Sequence, residues 1–444
     1  MNHNFGRTFV AAASLAAAAS IAPVARAQDV SGPVATATAG ADNVSTPSEF
    51  ARERNISVRE RPRPDYEAEG VHAGSFFLYP RLTFNVVYDD NIFAAPSGLR
   101  QSDTIFQTSP ELAIKSDWSR HSLNLLAHAN FNDYLSHSTE NTVDYGVAAT
   151  GRLDVIGRSY LFGGASYDRL TEPRTDPSSP QAAARPIQYD LGMANLGGLY
   201  EINRVRLEGE VTYSDYRYQN NTTTSGAFLR QDDRDRGVWT ENARADYAVS
   251  PATSIFVTAT TNQRIYRLKP PVAAFDRDSN GYDIEVGSSF DLTHLVRGEI
   301  QVGYLSQSYS QPGFKTISGL SYKALVDWFP TELTTVNLSA SRTVQEPVDI
   351  TASGFLSSNV GIRVDHELFR NILLSAKAGY GQDLYKGASR TDNRANAGAS
   401  VTYLLNRRVG LRLSYDYLQL NSSGSAHINN YNDNRILGGV TLQF

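Results

Sequence analysis

The chain contains no cysteine among its 444 residues. That excludes a disulfide-stapled mini-domain and a thiol enzyme. It lacks a basic excess as well: 41 Lys and Arg stand against 46 Asp and Glu, a formal net charge of −5. No basic surface for nucleic acid follows from such a balance. Long apolar runs are also missing. A helical span needs about 20 apolar residues, and the one sizeable run, Thr8 to Ala22, is shorter. With a mean hydropathy of −0.35, a helical membrane protein is excluded. Methionine is scarce (2 residues), whereas tyrosine is heavy (24). Tyrosine suits a membrane–water interface, because one end of its ring is apolar and the other wet.

The N-terminus reads as an export signal. Arg7 gives a basic start, Thr8 to Ala22 is uncharged, and Ala25-Arg26-Ala27 fits a small-x-small cleavage site before Gln28. Removing residues 1–27 takes away Arg7 and Arg26 and no acid, moving the charge from −5 to −7. Residues 28–70 follow with few large apolar side chains. Arg52 to Glu69 is dense in charge and interrupted by Pro62 and Pro64. Such a segment cannot offset its chain entropy by burial, so a disordered periplasmic leader is expected. A plug, or a docking peptide for a periplasmic partner, is the alternative.

From residue 71 onward the pattern is strand alternation. Val409, Leu411, Leu413, Tyr415 and Tyr417 alternate with Gly410, Arg412, Ser414 and Asp416. Val205, Leu207, Gly209, Val211 and Tyr213 alternate with Arg206, Glu208, Glu210 and Thr212. Tyr322, Ala324, Val326 and Trp328 alternate with Lys323, Leu325 and Asp327. A period of two with charge on the hidden face does not suit a soluble sandwich core. It suits lipid outside and water inside, an all-β transmembrane antiparallel barrel. Hydrocarbon offers backbone amides no partner, so strands cross it only with every edge closed.

Short links at 117–120, 155–157, 202–203, 250–252, 329–331, 369–371 and 406–408 alternate with longer polar ones at 89–103, 134–141, 171–187, 219–235, 269–280, 346–353, 386–391 and 421–431. The links at 291–296 and 308–314 have similar lengths and do not sort themselves. The count comes to about 18 strands, with 16 as the next count. Short turns belong in the periplasm and long loops outside, and an even count puts both ends of the barrel in the periplasm. The chain finishes on Ile436, Gly438, Val440, Leu442 and Phe444, one face of a last strand. Val440, Leu442 and the terminal Phe444 look like the signal that barrel-assembly machinery reads.

At the end of the first strand stands Tyr88-Asp89-Asp90-Asn91-Ile92-Phe93. It resembles a motif of the putative beta-barrel porin family of bacterial outer-membrane proteins, whose members open with a Y-D-D-N-I-F-type turn and end on an aromatic. The resemblance covers 76–444. It implies an outer-membrane location and, since such proteins are often associated with exopolysaccharide production, a role with polysaccharide secretion components. From the residues alone, Asp and Asn end a strand by bonding to their own backbone, and Ile92 and Phe93 fold the loop onto the rim. A cation or ligand site at the same residues is the sharper alternative.

Asp276, Asp278 and Asn280, followed by Gly281, match the first half of a calcium loop. The twelfth position is Gly287 rather than a bidentate Glu, so a polar external loop is the preferred reading and no cofactor is expected. His121 and His128 are seven apart and face opposite sides of one strand. No lipase elbow, zinc spacing or phosphate loop occurs, so His128 reads as lumen filling. With it, Arg206, Glu208, Glu210, Lys323, Asp327, Lys377, Arg412 and Asp416 are expected to line the lumen. Mixed signs suit a hydrated passive channel without strong ion preference, embedded in outer-membrane lipid and serving exopolysaccharide export or diffusion of hydrophilic solutes. A plugged scaffold barrel and, more weakly, a lipid- or glycan-modifying enzyme are the rivals.

Overall fold

The computed structural model describes residues 56–176, 179–180, 182–293, 295–347 and 352–444. The expected signal peptide and residues 28–55 of the leader lie outside the described residues. The barrel strands are β1 (Phe76–Asp89), β2 (Asp103–Ser116), β3 (Ser122–Tyr134), β4 (Thr142–Ile156), β5 (Ser159–Thr171) and β6 (Gln188–Ile202). They continue as β7 (Val205–Tyr218), β8 (Arg236–Ser250), β9 (Thr253–Tyr266), β10 (Ser279–Leu292), β11 (Val296–Tyr309) and β12 (Ile317–Thr331). The last six are β13 (Thr334–Gln345), β14 (Gly354–Phe369), β15 (Ile372–Lys386), β16 (Thr391–Leu404), β17 (Val409–Ser423) and β18 (Tyr431–Gln443).

All belong to one sheet, to which Val71–Ala73 adds a three-residue edge piece against the start of β1. Each strand is antiparallel to the next, and β1 pairs with β18 from Arg81↔Gln443 to Asp89↔Arg435, so no edge is left open. The ring is therefore the closed 18-strand barrel that the alternation predicts. Two-residue turns tighten one end. Asn203 (φ 54) and Gly157 (φ 58) take the left-handed conformation that a tight hairpin with right-twisted strands demands. The ambiguous links also sort: β10 ends and β11 begins at the tight-turn end, and 310–316 lies at the long-loop end.

The outer face carries Val86, Leu196, Val257, Ile284, Val302, Val360 and Leu413, all exposed. Aromatic rings flank them at both ends, Tyr88, Tyr145, Trp239 and Tyr282 near the long loops and Trp118, Tyr247, Trp328 and Tyr403 near the tight turns. Lipid removes this surface from water, at about 25 cal/mol per Å². The aromatic girdles then sit at the two headgroup levels.

One boundary needs correction. Residues 56–70, read from composition as the end of a disordered leader, are seated against the tight-turn end of the barrel. Ser57, Val58 and Arg63 are buried there, and the Val58 amide donates to Thr335 Oγ1 at 3.0 Å. The segment has no core of its own, as its composition says. The barrel supplies the partners that composition could not reveal.

Candidate functional site

The interior face of the ring is the site. Strand alternation puts all nine predicted residues on it, opposite the lipid-facing aromatics in register. His128 faces Gly146 across β3–β4, and Asp168 lies beyond on β5. His128 Nε2 stands 3.6 Å from Asp168 Oδ1. Gly146 is needed between them, since a Cβ there would meet His128 Cε1 at 2.7 Å and collide with the Asp168 carboxylate. On the β7–β8 wall Arg206 is opposite Asp246 and Glu208 opposite Arg244. Glu210 accepts from Asn195 Nδ2 at 2.8 Å. Arg297 reaches Asp327 at 2.9 Å, and Lys377 reaches Asp416 at 2.8 Å. Lys323 and Arg412 have no ion-pair partner among the described residues; Lys323 is exposed to the interior and Arg412 half-exposed.

Sequence reasoning missed several interior residues that matter as much. Arg244 bridges Asp246 (2.8 Å) and Glu299 (2.9 Å) and lies over the Phe256 ring at 3.7 Å. Arg394 binds the fully buried Asp383 at 2.9 Å. Each is an inward position of a strand whose alternation was already legible; what the sequence hides is which inward side chains along the same wall come within reach of one another.

The external end is shaped by loops that turn inward. Residues 172–176 reach from β5 to the far side of the β1–β18 seam, where the Tyr431 hydroxyl donates to the Thr175 carbonyl at 2.5 Å. Buried pairs Arg174–Glu140 (2.8 Å) and Arg234–Glu172 (2.6 Å) hold that crossing. Loop 267–278 is clasped by Glu346, which pairs with Arg264, accepts from the Tyr266 hydroxyl at 3.0 Å and lies 3.9 Å from Arg277. Burial raises the Glu346 carboxyl, but Arg264 and Arg277 outweigh it and hold the group below its ordinary value of 4.5. The clasp therefore contributes fully above pH 4.5 and is lost only as pH falls through the lower folded value. Glu346→Ala is expected to speed amide exchange across 270–277 at pH 7 by about tenfold or more. Unchanged exchange would show that the loop holds without it.

The Tyr88–Phe93 turn is a seam between the first and last strands. Tyr88 faces lipid, while Asp89, Asn91 and Ile92 are buried. The Asn91 amide donates to Asp89 Oδ1 at 2.8 Å, and its side chain donates to the Ala95 and Asn432 carbonyls, both at 2.8 Å. Asp90 accepts from the Asn434 amide and from Asn434 Nδ2, each at 2.7 Å. Phe93 meets His137 edge-on at 5.5 Å. Asp89, Asp90 and Asp433 bring carboxylate oxygens within 4.8 Å of one another. Arg435 stands in their midst, 2.9 Å from Asp89 and 2.7 Å from Asp433, where a metal would otherwise sit. The calcium-like residues do not form a cation site, because the point on which Asp276 and Asp278 converge is taken by a lysine. Lys269 binds both Asp276 (2.8 Å) and Asp278, holding the Asp276 carboxyl below its usual range. Asn280 lies in β10 opposite Ser308.

Residues 63–444 match the family model described as putative beta-barrel porin 2. The chain belongs to this porin family. No curated protein matches it. Among solved structures it is similar to the outer membrane protein OpdK of Pseudomonas aeruginosa, at 11% identity and a TM-score of 0.42, over 83% of this chain and 99% of that one. A BenF-like porin from Pseudomonas fluorescens Pf-5 gives 12%, 0.45, 83% and 99% in the same terms. The siderophore receptor PirA from Acinetobacter baumannii gives 6%, 0.46, 83% and 80%. Porin-family membership places the protein in the outer membrane as a β-barrel, and it points to a channel rather than an enzyme.

Proposed function

We propose that the barrel is a passive channel for hydrophilic solutes. The observation that carries this reading is the pair Lys323 and Arg412. Each is a basic side chain on the interior wall of a lipid-embedded ring, with no carboxylate at ion-pair distance among the described residues. A charge in such a place is tolerable only with water around it. The interior near them is therefore hydrated, and acids and bases alternate around it. The inward segment 172–176 would set the size limit at the external end.

Export of exopolysaccharide is the more specific use that the family resemblance suggests. It needs partners from a secretion system, which supply the energy this barrel lacks. Proteoliposome swelling tests the channel reading: mono- and disaccharides should enter, with rates falling as solute size grows. Vesicles holding folded barrel but admitting no sugar would favour the plugged scaffold, for which the seated segment 56–69 is the specific argument.

A further inference from the structure

We propose that residues 56–69 form a releasable strap, latched by charge inside the periplasmic mouth, which narrows that mouth while docked. Its effect on flux rests on the channel reading; the latch itself stands on geometry. The strap makes two turns, with the Ser57 amide donating to Glu60 at 3.0 Å and the Arg63 amide to Glu67 at 2.5 Å. Three arginines at alternate positions then meet acids on β14: Arg59 lies 3.1 Å from Asp365, Arg61 3.5 Å from Glu367, and Arg63 2.7 Å from Glu367. Glu60 pairs the opposite way, with Arg297 of β11 at 2.6 Å. Further along, Arg370 donates to the Pro62 carbonyl (2.9 Å), Arg407 to that of Pro64 (2.7 Å) and Gln443 to that of Tyr66 (3.2 Å). The strap thus follows the rim from β11 to β18, first against the inward-facing Arg297, Asp365 and Glu367 and then against the turn residues Arg370 and Arg407.

What holds it is almost entirely polar. Val58 is the one buried apolar side chain among 56–69, and Ile56 is exposed. A plug wedged by a hydrophobic core would be permanent, whereas one held by ion pairs yields when charge is removed. The pairs are graded. Arg63 and Glu367 are buried at 6% and 5% side-chain exposure, whereas Arg407 and Glu69 stand open at 44% and 71%. Raising salt from 0.1 to 1 M shortens screening from about 10 to about 3 Å and loosens the open pairs, while the buried pair resists. Glu367 is therefore the latch.

Because the protein has no cysteine, a thiol placed at Val58 would be unique. In the mature chain reconstituted in liposomes, Val58→Cys is expected to react slowly with a bulky maleimide, and about tenfold faster once Glu367→Gln is added. Arg63→Gln carries the same test from the strap side should the β14 variant fail to fold. Labelling as fast as at an exposed loop control, Ser225→Cys, or unaffected by either latch variant, would overturn the latch. Deletion of 57–69, which leaves every barrel strand intact, is expected to enlarge single-channel steps, and equal steps would overturn the narrowing. Silence from both complete and deleted barrels would instead overturn the channel reading, leaving the thiol rates to decide the latch alone.

Discussion

A chain ending at residue 430 is expected not to insert. That truncation removes β18, which makes nine residue pairs with β1 and twelve with β17. Both strands would then present unpaired amides and carbonyls to hydrocarbon, each costing several kcal/mol. Such a sum exceeds the whole stability of an ordinary domain, about 5–15 kcal/mol. Refolded in detergent, the complete mature protein should run on gels as a compact band that heating converts to the extended form. The truncated chain should show only the extended band. A folded band from it would mean that the ring closes some other way. Phe444→Ala separates structure from targeting, because it leaves the β1–β18 pairing intact. We propose Val440, Leu442 and Phe444 as the assembly signal, so this variant should fold in detergent yet accumulate poorly in cells. Normal accumulation would remove Phe444 from that role.

Arg435→Ala should be the most damaging single substitution on the interior wall, at about 3–5 kcal/mol. Asp89 and Asp433 are 2% and 1% exposed, and the Arg435 guanidinium lies between them. Without it two buried carboxylates face each other with no cation, at the point where the Tyr88–Phe93 turn is pinned to β18. Neutralising one acid should restore part of the loss: Arg435→Ala with Asp433→Asn is expected to be more stable than Arg435→Ala alone. Urea midpoints of the refolded proteins measure both. A single variant as stable as the parent would show that the acids find another counter-charge.

The strand count and the charged inner face were legible because alternation is a local property. Val205–Tyr213 and Val409–Tyr417 reveal their two faces without knowing their neighbours. Turns such as Ile202-Asn203 were legible for the same reason. What stayed hidden depends on partners far along the chain. Arg59, Arg61 and Arg63 read as a solvated charge run, since nothing near them says that Asp365 and Glu367 wait about 300 residues away. The inward reach of residues 172–176 to Tyr431 was hidden likewise. So was Arg435, whose two carboxylates come from opposite ends of the chain. Asp276 and Asp278 have the spacing of a calcium loop, but it did not disclose Lys269, already bound to both.

The most direct test of the channel reading is single-channel recording from the refolded mature protein, residues 28–444, in a planar bilayer. Stable, ohmic steps with weak selectivity between cations and anions are the expected result, because acids and bases share the interior wall. A barrel shown to be folded and inserted that passes no current, with the strap present or deleted, would contradict the account.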